Sequence, residues 1–204
     1  MPAAEFHRLY GTWAPRAPED VRDFFASYPG TWWIAGGWAL QAFTGVVRAH
    51  EDIDPGILRH ELPLFRAHVG ERYDLWAAFS GVLKPVSSDA PEELPDGCGQ
   101  LWVRRSAADP WEYDILLGPG TADEWRYRRD PELRMPMTEA LWEQDGIRYL
   151  QPEIQLLYKA KGRRPKDEDD LGATLPHLDA RRRAWLADAL ERTIPGHPWL
   201  SRLG

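Results

Sequence analysis

Gly36-Gly37-Trp38-Ala39-Leu40 and, after a short spacer, Arg48-Ala49-His50-Glu51-Asp52-Ile53-Asp54 are the residues from which this chain is best read. Just before them, Thr31 to Ala35 is aromatic and β-branched and has glycine on both sides, which reads as a buried strand. Trp38 to Phe43 has helical character, with Gly45 as its C-cap. Glu51 to Leu58 reads as the next strand. Glycines between a strand and a helix let backbone N–H groups approach an anion, and a helix N-terminus adds favourable partial charge. Gly36 and Gly37 therefore suit the phosphates of a nucleotide, although a tight strand–helix corner leaves the same trace. Asp52 and Asp54 are two positions apart, so on one strand both side chains take the same face. Adjacent carboxylates repel unless a cation lies between them. Mg²⁺, a hard ion that takes carboxylate and phosphate oxygens together, is the natural occupant. A solvated acidic strand end is the plain alternative. The apolar neighbours Ile53 and Ile57 favour rigid ligands instead. Pro55 works in both directions. It keeps Asp54 extended, and it marks an edge or an end of the strand, where Pro55-Gly56 would bend the chain and displace Asp54.

A two-metal site needs a third carboxylate. Asp114 is the candidate, inside Trp111-Glu112-Tyr113-Asp114-Ile115-Leu116-Leu117, because an acid in an apolar strand is costly unless paired or metal-bound. Glu112 shares its face and is the rival, and Asp109 in the preceding turn is less suited. Asp114 would either ligate a metal or take the proton from an acceptor hydroxyl.

Outward from this centre, Pro18-Glu19-Asp20 opens a helix that Tyr28-Pro29-Gly30 stops. Glu61 to Val69 is a further helix and Tyr73 to Phe79 a third apolar strand. Ser87 to Gly99 is a loop rich in proline, glycine, serine and acids. Leu101 to Arg105 and Glu112 to Leu117 read as paired strands, and Asp145-Gly146 signals a hairpin. From Pro152 the pattern is helical to the end. The fold class expected is α+β: a mixed β-sheet with flanking helices over residues 1–150, then a small helical lobe over 151–204.

The chain has 204 residues, 43% hydrophobic and 28% charged, and a net charge of −7. Such a charge argues against a general grip on nucleic acid, where affinity comes from many Lys and Arg contacts to phosphate. It is compatible with a cationic small-molecule substrate. Eleven tryptophans are unusual. Most suit a core, and some suit an amphipathic substrate cleft. Met1 to Tyr10 carries no apolar run behind a basic region. No stretch is long and apolar enough to span a bilayer, and one cysteine, Cys98, leaves no internal disulfide. The expectation is a cytoplasmic protein without a membrane partner.

Taken together, Gly36-Gly37, the spacer helix and Arg48-x-His50-x-Asp52-x-Asp54 resemble the nucleotidyltransferase superfamily of DNA polymerase β-like fold. The pattern is most similar to its antibiotic-modifying branch, the aminoglycoside and lincosamide nucleotidyltransferases. Trp125-Arg126-Tyr127-Arg128-Arg129-Asp130 resembles a basic segment that follows the third-carboxylate strand in that branch. Pro152-Glu153-Ile154-x-Leu156-Leu157-x-Lys159-Ala160, with Lys166-Asp167-x-x-Asp170, resembles its C-terminal helices.

The resemblance implies transfer of AMP, or another nucleoside monophosphate, from a nucleoside triphosphate to a hydroxyl of a small molecule, with release of pyrophosphate. Carried over by position, Gly36 and Gly37 contact the triphosphate, Asp52 and Asp54 hold Mg²⁺ (two ions with Asp114), and ATP is the co-substrate. Arg48 and His50 stand beside the phosphates or brace the strand end. Lys159 and Lys161 reach the triphosphate or lie over the apolar helix face. Two other readings remain: the same transfer to a protein or tRNA acceptor, and a non-catalytic nucleotide-binding module.

Overall fold

The structure is a computed structural model that describes residues 3–87, 94–95 and 97–204. Most of the loop expected over Ser87–Gly99 lies outside the described residues. In chain order the elements are α1 (Ala3–Tyr10), α2 (Pro18–Phe24), β1 (Trp32–Ile34), α3 (Gly36–Thr44), β2 (Pro55–Leu58), α4 (Leu62–Val69), β3 (Asp74–Phe79) and β4 (Val82–Pro85). Then come β5 (Gln100–Arg104), β6 (Tyr113–Gly118), β7 (Glu124–Tyr127), β8 (Asp130–Pro136), α5 (Met137–Ala140), β9 (Leu141–Gln144) and β10 (Ile147–Leu150). Helices α6 (Pro152–Ala160), α7 (Pro165–Thr174), α8 (Ala180–Thr193) and α9 (Leu200–Leu203) complete the chain. The class is α+β, with mixed strand pairing. Among the described residues no helix is long and apolar enough to cross a membrane.

The chain divides into two compact units, Met1–Trp32 with His50–Pro119 and Trp33–Ala49 with Gly120–Gly204. In the first, β2 runs parallel to β6, and β6–β5, β5–β3 and β3–β4 are antiparallel. Burial alternates along β5: Leu101 and Val103 point into the core, while Gln100, Trp102 and Arg104 point the other way. Helices α2 and α4 cover the buried face. Phe25 stacks on Phe65 with ring centroids 6.0 Å apart, and Val21, Ile57, Leu58, Phe65, Leu101 and Ile115 are fully buried.

In the second unit, Ile34 of β1 pairs in parallel with Tyr149 of β10, and β10 is antiparallel to β9. Asp145 and Gly146 close that hairpin with φ of 54° and 74°, the left-handed pair that a two-residue turn requires. Helix α6 is buried on almost every side. Ile154, Leu156 and Leu157 are inaccessible, and Glu153, Gln155 and Lys159 are buried with them. The polar residues of this helix are therefore as buried as its apolar ones.

One expectation needs correction. The strand expected from Glu51 begins at Pro55, so Asp52 and Asp54 precede it. Proline tolerates the first position of a strand, where its missing N–H removes no interior ladder bond, and Pro55 is buried there. The segment is tied to β6 between the acids, where Asp114 N–H donates to Ile53 O over 3.1 Å. Helix α1, strand β4 and the β7–β8 hairpin are elements beyond those expected from the sequence.

Candidate active site

The first unit places three acids together. One carboxylate oxygen from each of Asp52, Asp54 and Asp114 lies within 4.8 Å of the others. Asp52 and Asp54 are partly exposed and Asp114 is buried. The geometry follows from local structure. Asp114 is buried on the opposite face of β6 from Tyr113 and Ile115, and the backbone bond to Ile53 draws the Asp52–Asp54 segment against it. Buried Ile53 fixes that segment in the core.

Asp114 accepts from Gln100 Nε2 at 2.9 Å through one oxygen, Oδ2. Its other oxygen, Oδ1, is buried and has no hydrogen-bond partner among the described residues. Such an atom is expensive unless a ligand completes it. Burial pushes the Asp114 carboxyl well above the usual carboxylate range, and the negative charges of Asp54 and Asp52 push it further the same way. The Trp102 indole acts in the opposite direction, although its Nε1 reaches no hydrogen-bond partner in proper geometry. Three converging oxygen donors, one of them orphaned, fit a hard divalent cation such as Mg²⁺.

The rival Glu112 does not join this group. It is buried and paired with Arg16 at 2.7 Å and with Arg105 at 3.1 Å, so its charge is already offset. Asp109 is exposed in the preceding turn and accepts from the Ser106 hydroxyl at 2.6 Å.

In the second unit, Gly36 and Gly37 form the first turn of α3, after Ala35 as N-cap. Gly36 has φ of +68°, a conformation that side-chain-bearing residues rarely adopt. Its N–H donates to Gln155 Oε1 over 2.8 Å, so part of the helix start is satisfied from within the unit. Gly36→Ala is expected to destabilise the protein by about 1 kcal/mol or more, read as a lower midpoint in thermal unfolding.

Lys159 lies in an ion network that the sequence did not reveal. Its Nζ is 2.8 Å from Asp170 and 3.4 Å from Asp167. Arg48 joins from the segment after α3, with Nε 2.9 Å from Asp170. Asp167 also accepts from the Arg164 side chain and backbone, which satisfies one backbone donor at the start of α7. Removing one partner of a buried pair strands the other. Asp170→Ala is therefore expected to cost about 3–5 kcal/mol in denaturant unfolding. Arg48→Ala, at a half-exposed position, should cost about 1 kcal/mol or less. His50 is half-buried in the first unit, beside the acids in sequence.

Neither a known family model nor a curated protein sequence matches the chain. Solved structures do. The crystal structure of ANT(2″)-Ia in complex with adenylyl-2″-tobramycin aligns with a TM-score of 0.56 at 16% identity, covering 85% of this chain and 95% of that one. The lincomycin-bound crystal structure of the lincosamide antibiotic adenylyltransferase LnuA aligns with a TM-score of 0.52 at 17% identity, covering 78% and 95%. A solution structure of ANT(2″)-Ia gives 0.52 at 17% identity, over 85% and 89%. The chain has the nucleotidyltransferase fold.

Proposed function

We propose that this protein is a Mg²⁺-dependent nucleotidyltransferase that moves a nucleoside monophosphate, AMP from ATP, onto a hydroxyl of a small molecule. The observation that carries the proposal is the Asp52–Asp54–Asp114 cluster with its orphaned oxygen, on a fold shared with adenylyltransferases. In the reaction the acceptor oxygen forms a bond to the α-phosphorus. The bond from that phosphorus to the oxygen bridging it to the β-phosphate breaks, and pyrophosphate leaves with the electron pair. The acceptor's proton passes to a carboxylate, with Asp114 the candidate, or to water. A divalent ion bound at the three acids would neutralise developing phosphate charge and lower the pKa of the acceptor hydroxyl.

Asp52, Asp54 and Asp114 are assigned to the metal. Triphosphate contacts are assigned to Gly36, Gly37, Arg48, His50 and Lys159. For Arg48 and Lys159 the assignment has a physical condition: a phosphate must compete with Asp170, which already holds both cations. The neighbouring structures contain tobramycin and lincomycin chemistry, so aminoglycosides and lincosamides are the first acceptors to test.

The experiment is a pyrophosphate-release screen over nucleoside triphosphates and a panel of both antibiotic classes, with Mg²⁺ and with chelator. Release that requires both metal and acceptor supports the proposal. Metal-independent nucleotide binding without release from any acceptor favours a non-catalytic module instead.

A further inference from the structure

Beside the acid cluster, the first unit contains an apolar pocket of about 340 Å³. Its walls include Phe6, Tyr10, Phe79, Val82, Gln100 and Trp102, and no lining residue carries a charge. Helix α1 forms one side. The Tyr10 hydroxyl donates to Gly81 O over 2.9 Å, which pins α1 to the β3–β4 turn. Phe6 and Tyr10 lie against Trp102, with ring centroids 6.0 and 6.2 Å away.

Two lining residues also touch the acids. Gln100 donates to Asp114 Oδ2, and Trp102 is the cross-strand partner of Asp114, so their side chains share one face of the sheet. The Trp102 indole is turned toward the Asp114 carboxyl and favours its charged form, so the ring stands between the pocket and the acids. Packing α1 onto the sheet accounts for the aromatic contacts. It does not account for the cavity that remains beside them.

We infer that this pocket holds the apolar body of the acceptor, which is a hydroxylated molecule with an aromatic or alkyl ring and little positive charge. The inference rests on the nucleotidyl-transfer reading and narrows its substrate class. The volume lies in the lower part of the range for small-molecule sites, about 300–1,000 Å³. The aromatic walls supply ring faces for an apolar body, and Gln100, which reaches Asp114, places that body within a side chain's length of the acids. A polycation would find no carboxylate on these walls to offset its lost hydration.

The test is a ¹⁵N NMR titration that follows the Trp102 indole N–H, assigned by Trp102→Phe. One probe is phenyl glucoside, which is neutral, hydroxylated and aromatic. The other is 2-deoxystreptamine, a hydroxylated dication without an apolar body. A saturable shift of the Trp102 signal is expected with phenyl glucoside and none with 2-deoxystreptamine. Val82 is 51% exposed at the rim, so Val82→Trp fills the mouth without disturbing the core. It should weaken the phenyl glucoside shift about tenfold, or 1.4 kcal/mol, with the other indole signals staying in place. No shift with phenyl glucoside, an equal shift in Val82→Trp, or a stronger response to 2-deoxystreptamine overturns the inference. Metal-dependent pyrophosphate release without probe binding removes the pocket alone. Probe binding without release from any acceptor removes the reaction, and the acceptor role with it.

Discussion

Asp52→Asn is expected to lower Mg²⁺-dependent pyrophosphate release by about a thousandfold or more while the protein stays folded. Asp52 is partly exposed and stands outside regular structure, so an isosteric amide there disturbs little packing. What changes is charge. Phosphoryl-type transfer depends chiefly on positioning and on neutralising charge at the transferred group. An amide leaves the donor set short of one negative ligand, and several kcal/mol of transition-state stabilisation go with it. Steady-state rates at saturating metal, with circular dichroism as a check on the fold, measure this. A rate within a few-fold of the parent protein would remove Asp52 from the reaction.

Asp114→Asn should have two large effects of opposite sign. It should abolish turnover as Asp52→Asn does, and it should stabilise the metal-free protein. Asp114 is buried beside Asp52 and Asp54, and its folded-state pKa lies well above the usual carboxylate range. The folded state therefore holds a proton there that the unfolded chain releases. Without metal, no penalty exists below the ordinary carboxylate pKa. The penalty grows as pH rises from that value through the raised folded pKa, so stability falls across the window. The amide carries no charge and escapes the penalty. In chelator at neutral pH its melting temperature should exceed the parent's by about 2–4 °C for each kcal/mol removed. That gap should close as pH falls toward the ordinary carboxylate range. Added Mg²⁺ should raise the melting temperature of the parent and not of the variant. A less stable variant in chelator would mean that Asp114 is a structural partner rather than a ligand in waiting.

Much of this site was legible from residue types and spacing. Asp52 and Asp54 announced themselves because two acids with an apolar residue between them make sense only with a cation or in open solvent. Asp114 stood out because the strand around it is apolar. The choice between Asp114 and Glu112 was not available from the sequence. It depends on Arg16 and Arg105, which are distant from Asp114 in the chain or on the far side of a turn, and which neutralise Glu112. Pro55 does mark a strand boundary, but it is the start of β2 and not its end, and the acids lie just ahead of it.

The hairpin at Asp145-Gly146 and the C-cap at Gly45, with φ of 72°, were legible because both rest on local backbone chemistry. The polar residues of α6 were not. The sequence reading gives Lys159 to the triphosphate or to the apolar helix face, Glu153 to the helix start, and Gln155 no role. In the structure each meets a specific partner in its own unit: Gly36, Asp170 and Arg182. Nothing local signals pairings that span so much chain. Helix α1 was missed for a related reason, since its aromatic residues find their partners on β5.

The most direct measurement is a Mn²⁺ titration followed by electron paramagnetic resonance, in the presence of ATP, on the parent protein and on Asp52→Asn and Asp114→Asn. The account predicts saturable, protein-dependent binding of the ion in the parent, weakened at least tenfold in either variant. Equal binding in all three proteins would contradict it.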